Sequence, residues 1–247
     1  MSRAGAIAVA AILGAGLLTG VFAQEFRGVI PNVEYDGRFQ LVRLRYVEYR
    51  SEGWKYDYPW MEQHLMTMFD ELTKVKIARK GSNIFTMDDP RLMNWPVAYL
   101  SEPGYWYPSA EEAKGLRDYL MKGGFLIVDD FYVASGGFEW PVFEKAMLTV
   151  LPQAKIVRLD ASHPIYDAFY RIASLDDIPY PSRPSLKAEF FGIYEDNDPK
   201  KRLMVVINYN TDLGEYMQWS NEGVWPVNLS NNAYKFAMNY VLYGLVF

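Results

Sequence analysis

Cysteine is absent from this chain of 247 residues, and histidine occurs twice. The first absence excludes thiol nucleophiles, thiolate metal sites and disulfides together, so stability must come from the core. The second leaves His64 and His163 as the imidazoles on offer, and a metal site would have to draw mainly on carboxylates. Basic residues are also in short supply, 25 Lys and Arg against 30 Asp and Glu. That balance disfavours nucleic acid as a partner. Half of the residues are hydrophobic, enough for one globular domain with a sizeable core.

What is present begins with MSRAGAIAVAAILGAGLLTGVFAQ. Arg3 is a short positive region, residues 4–18 are small and apolar, and Val21-Phe22-Ala23 ends the run. This predicts a secretory signal over 1–23, cut after Ala23, and hence a periplasmic or secreted protein. The alternative is an uncleaved membrane anchor, and membrane contact rests on this segment alone. Cleavage would remove Arg3 and leave 24 basic residues, a formal charge of −6. Residues 24–38 lack periodicity and read as an N-terminal tether, with a single domain over 39–247.

Within the domain, FQLVRLRYV (39–47) has strand composition. Met61, Leu65, Met68 and Leu72 then line one helix face, with Asp57 and Pro59 as start signals. VKIA (75–78) and VAYLS (97–101) read as strands. In YPSAEEAKGLRDYLMKGG, Ser109 and Glu112 fit a capping box and Gly123 marks the stop. FLIVDD follows, apolar without alternation until Asp129 and Asp130, which predicts a strand covered on both faces. FEWPVFEKAMLTVL reads as a helix, KIVRL (155–159) as a strand and HPIYDAFY as a short helix opened by Pro164. Residues 174–185 read as a long surface loop, AEFFGIYED and RLMVVINYN as adjacent strands, and NNAYKFAMNYVLYGL as a closing helix. Alternating strands and helices argue an α/β three-layer sandwich with a mostly parallel sheet.

YLSEPG, a capped helix and then KGGFLIVDD resemble exported bacterial proteins of the domain-of-unknown-function family DUF4159. The likeness continues through HPIYDAFY and the tail NYNTDLGEYMQWSNEGVWPVNLSNNAYKFAMNYVLYGL. That family in turn looks like the class I glutamine amidotransferase-like, flavodoxin-like fold. In amidotransferases a cysteine at a strand-to-helix elbow is the nucleophile, with histidine and glutamate completing a triad. Here Asp129 and Asp130 follow the corresponding strand, so the resemblance implies the fold without the glutaminase activity.

Ligands of open parallel sheets sit outside the carboxyl ends of the strands, where Asp129 and Asp130 stand. Neighbouring strand residues point to opposite faces, so the two acids should have different tasks unless the chain has turned. One can bind a cation or a substrate hydroxyl while the other receives loop amides; alternatively both serve the loop. His163 and Glu102 are the further candidates for acid, base or ligand roles, each with a reading as a plain loop residue. Gly104, Tyr105, Trp106, Tyr132, Asp212 and Trp219 are candidates for ligand contact, because loop aromatics stack on sugars or on a partner's side chains. Their alternative is a minor core under long loops. His64 reads as packing. Arg43 and Arg45 share a strand face, which suggests an edge position or a buried ion pair, with Arg45 near Asp129. The leading expectation is therefore a non-catalytic binding or scaffolding domain for a carbohydrate, a cell-wall fragment or a cell-envelope protein, with no cofactor. The other is a metal-assisted or acid-base hydrolase built on Asp129, Asp130, Glu102 and His163, with a divalent metal.

Overall fold

Residues 29–47, 53–134 and 136–247 are described in the computed structural model of the chain. The expected signal and its cleavage site lie outside the described residues, as does the start of the tether.

The apolar segments assemble into one seven-stranded sheet. Its strands are β1 (Phe39–Arg45), β2 (Ile77–Thr86), β3 (Val97–Ser101), β4 (Phe125–Asp129), β5 (Val157–Arg158), β6 (Glu189–Tyr194) and β7 (Leu203–Tyr209). They lie in the order β2-β1-β3-β4-β7-β6-β5. The first five are parallel, while β6 runs against β7 and β5 against β6. Parallel neighbours need crossovers, and helices α1 (Trp60–Leu72), α2 (Ala110–Met121), α3 (Glu139–Val150), α4 (Leu213–Gln218) and α5 (Val227–Val246) cover the sheet on both sides. All residues of β3 and β4 are buried, as their unbroken apolar character predicts.

Alternation along the strands divides the core in two. Phe125 and Ile127 of β4 pack with α1, α4 and α5, whereas Leu126 and Val128 pack with α2 and α3. The capping box forms: Ser109 Oγ accepts from the Glu112 amide at 3.1 Å, and Glu112 Oε2 accepts from the Ser109 amide at 2.9 Å.

Several local expectations are revised. β2 extends to Thr86, well beyond VKIA, because its second half buries Ser82, Asn83, Ile84 and Phe85 despite a polar sequence. The expected tether is docked along β2 over residues 30–33. Asn32 exchanges two 2.7 Å hydrogen bonds with the Ile84 backbone, and Asn83 does the same with Val33 at 2.8 and 3.1 Å. Asparagine amides thus stand in for a further strand and cover an otherwise open sheet edge. The 174–185 segment is not wholly superficial either, since it buries Ile178 and Tyr180.

Candidate functional site

β1, β3, β4 and β7 all end on one side of the sheet, and the chain turns sharply there. Glu102, Asp130 and Asn210, the first residues after β3, β4 and β7, have φ of 51°, 62° and 60°. Asp57, between β1 and α1, has φ of 64°. Asp and Asn tolerate this left-handed region better than other side-chain-bearing residues. The turn at Asp130 ends the alternation of β4, so Asp129 and Asp130 both reach the α4 side with separate partners.

Asp129 is fully buried beneath the start of α4 and receives four donors. These are the Tyr99 hydroxyl at 2.6 Å, the Asn208 amide at 2.9 Å, and the backbone amides of Leu213 and Gly214 at 2.9 and 3.2 Å. Tyr240 in turn donates to Asn208 Oδ1 at 2.9 Å. Even so, burial holds the Asp129 carboxyl up at about 6, opposed by the Tyr99 and Asn208 bonds.

Asp130 accepts from Tyr180 at 3.0 Å and from Ser101 at 3.2 Å. One carboxylate oxygen from each of Asp57, Asp130 and Asp212 lies within 4.8 Å of the other two. Asp212 caps α4, accepting from the Glu215 amide at 2.8 Å. Asp57 serves α1 only through its carbonyl, which accepts from Met61 at 2.9 Å. Its side chain joins the acids, and Asp57 Oδ2 is buried with no donor among the described residues. Gly214 closes over that oxygen so tightly that a Cβ there would stand 2.4 Å from it. Burial is the leading cause that raises the carboxyls of Asp57, Asp130, Asp212 and Glu215; repulsion from neighbouring acids adds to it at Asp57, Asp212 and Glu215, while hydrogen bonds to Tyr180, Asp212 and Ser101 oppose it at Asp130. Asp130 with Asp212, and Asp57 with Glu215, stand within hydrogen-bonding reach of one another. Without a cation, this crowding of carboxyls favours their protonated forms.

The positive charge set beside Asp57 and Asp130 is Arg43. Strand β1 is interior, so this guanidinium is wholly buried rather than at an edge. It pairs with Glu62 of α1, donates to the Trp54 and Tyr56 carbonyls at 3.1 and 2.9 Å, and lies 4.8 Å from the Tyr99 ring centre. The expected partnership of Arg45 with Asp129 does not form: Arg45 is exposed at the strand's end.

Aromatic rings border the acids. Tyr132 and Tyr180 have ring centres 4.4 Å apart, Arg183 lies 6.0 Å from the Tyr132 ring, and Tyr105 meets Phe138 edge-on at 5.6 Å. Behind them Glu139 accepts from the Tyr132 amide at 2.9 Å, and burial, reinforced by the charge of Asp130, pushes its carboxyl up to about 7. Trp219 ends α4 with its side chain in reach of the Glu215 carboxylate.

Other candidates stand elsewhere. His163 accepts from the Ile165 amide through Nδ1 at 3.2 Å and packs near Tyr243, which itself rests on Phe125 at the opposite end of β4. Phe125 and Asp129 stand four residue steps apart along the strand, about 13 Å. The imidazole is thus not part of the acidic group. Trp106 is core with no exposed surface, so it offers no ring to a ligand. Gly104 is packed against Glu139, where a Cβ would come 2.5 Å from that side chain, so its close approach is internal. Glu102 is at the rim, its carbonyl accepting from Tyr46 at 2.6 Å. His64 Nδ1 lies 2.9 Å from the Met217 carbonyl. Asp57, Tyr180 and Glu139 were not foreseen as site residues. The available signal was the set of polar residues that interrupts apolar strands on one face, Arg43, Tyr99, Asp129 and Asn208.

No match was found among the curated proteins compared. The family profile described as Domain of unknown function (DUF4159) matches residues 43–245, a span that contains the entire acidic group. By that coverage the chain belongs to the DUF4159 family.

Proposed function

We propose that the protein is an exported carbohydrate-binding domain of the cell envelope, periplasmic or secreted, with an amidotransferase-like, flavodoxin-like fold and no amidotransferase nucleophile. The parallel order β2-β1-β3-β4-β7 supports the fold reading, since it is the 2-1-3-4-5 pattern of doubly wound sheets with an antiparallel extension. One observation carries the functional reading. A buried carboxylate group and the Tyr132–Tyr180 ring pair converge at the carboxyl ends of the parallel strands. Carboxylates accept hydrogen bonds from sugar hydroxyls, and aromatic faces stack on the C–H surface of a sugar ring. Calorimetric titration of the protein with soluble cell-wall oligosaccharides should show binding that Tyr132→Ala weakens at least about tenfold. Absence of binding, or equal binding by the variant, refutes the reading. Export is checked by fractionation and N-terminal sequencing, where a mature chain beginning at Gln24 is expected and a retained residue 1 contradicts it.

A second reading, an acid-base or metal-assisted hydrolase, is favoured by the Asp130–Asp212 pair, which resembles carboxyls that divide one proton. Asp57, Asp130 and Asp212 would take the place of His163 and Glu102 in it. Release of reducing ends from the same oligosaccharides, lost in Asp130→Asn, supports it, and intact oligosaccharide after prolonged incubation rejects it.

A further inference from the structure

The geometry points to a binding site for a hard divalent cation, Ca²⁺ by preference, held by Asp57, Asp130 and Asp212. Three features lead there. The first is spacing: the three carboxylate oxygens lie within 4.8 Å of one another. Three oxygens so spaced lie at most ~2.8 Å from a common point, so bonds of ~2.4 Å to Ca²⁺ need at most a slight closure, whereas Mg²⁺ at ~2.1 Å needs more.

The second is the unpartnered oxygen. Asp57 is 8% exposed, its carboxylate is turned into the group, and its Oδ2 meets no donor among the described residues. A buried carboxylate oxygen left without a partner costs free energy unless a ligand completes it. The neighbouring acids contrast with it: Asp129 has four donors, Asp130 has Tyr180 and Ser101, and Asp212 has the Glu215 amide.

The third is charge. Facing this point are Asp57 from the β1–α1 loop, Asp129 and Asp130 from the end of β4, Asp212 at the N-cap of α4, Glu215 in its first turn, and, opposing them, Arg43 of β1. Arg43 is also paired with Glu62 of α1, so one guanidinium faces more carboxylates than its charge offsets. The donors are oxygen only, which favours Ca²⁺, Mg²⁺ or Mn²⁺ over Zn²⁺ or Cu²⁺. Asp129, held by Tyr99 and Asn208, positions the turn that carries Asp130 and also receives the α4 amides next to Asp212. It supports the site without being counted as a ligand.

Cation binding is assayed without sugar, so its outcome is independent of the carbohydrate reading. Thermal unfolding of the chelator-treated protein is compared with and without Ca²⁺, Mg²⁺, Mn²⁺ and Zn²⁺. Saturation a hundredfold above Kd is expected to raise Tm by about 5–10 °C, most with Ca²⁺. Asp57→Asn and Asp212→Asn should abolish the rise, while Asp118→Asn on the exposed face of α2 should keep it. Both site variants remove a repelling charge, so their cation-free forms should melt no lower than the wild type. Should either variant fail to fold, Tb³⁺ on the wild type decides. Emission excited through tyrosine is expected, because Tyr180 lies 3.0 Å from Asp130, and Ca²⁺ should quench it by displacement. The site is refuted by a wild type that gains no stability from any of the four ions, by a rise that survives in the site variants, or by Tb³⁺ emission that Ca²⁺ leaves unchanged.

Discussion

Replacing Arg43 by methionine tests how far one buried cation supports both the fold and the acidic group. Arg43 and Glu62 have no exposed surface, and their ion pair is joined by bonds from Arg43 to the Trp54 and Tyr56 carbonyls. Methionine has about the length of the arginine stem, so the main loss is charge and hydrogen bonding rather than volume. Glu62 is then buried without its cation, a change that costs about 3–5 kcal/mol. At about 2–4 °C per kcal/mol for a domain of this size, Tm should fall by about 6–20 °C. Urea unfolding should show the same loss with an unchanged slope. In the double variant Arg43→Met, Glu62→Met no charge is stranded in the pair, and most of the stability should return. The return should be less complete at high pH than at low pH, because Arg43 also offsets Asp57 and Asp130, whose raised carboxyls take up protons as pH falls. A single variant that costs less than about 1 kcal/mol would refute this account. So would a double variant no more stable than the single one.

Two further outcomes follow from the same geometry. Glu139 has its carboxyl raised from 4.5 to about 7 by burial, so the folded state binds its proton more tightly than the unfolded state. Its stabilising contribution is full below pH 4.5 and is lost as pH rises through 7; Asp129, at about 6, acts in the same direction. The cation-free protein should therefore melt higher at pH 5.5 than at pH 8, and Glu139→Gln should remove on the order of 1–2 kcal/mol of that difference; a higher Tm at pH 8 contradicts the sign. Gly214→Ala places a methyl 2.4 Å from Asp57 Oδ2, which must displace Asp57 or the start of α4. It should destabilise by about 1–3 kcal/mol and abolish the Ca²⁺ response, whereas near-wild-type calorimetric and thermal behaviour would show that the packing there is loose.

The sequence by itself determined the elements whose signals are local. Unbroken apolar runs in VAYLS and FLIVD became doubly covered parallel strands, because such strands leave no polar face. Ser109 and Glu112 formed their capping box because both partners lie within one helical turn. The sequence also marked Asp129 and Asp130 as the place where a buried strand reaches the carboxyl end of the sheet. It misplaced His163, which shares with the acids only its position near a strand end, and it assigned to the surface a loop that delivers Tyr180 to Asp130.

Only the tertiary structure decided which acids meet. Asp57, Asp130 and Asp212 come from three separate loops, and no spacing along the chain relates them. They converge because β1, β4 and β7 end on the same side of a sheet whose order interleaves them with β3. The left-handed turns at Asp57 and Asp130 then direct the carboxylates inward, overriding the alternation that would have parted Asp130 from Asp129. Strand order and a backbone sign at two residues are properties of the assembled sheet, which is why local pattern alone could name the acidic pair but not the group it joins.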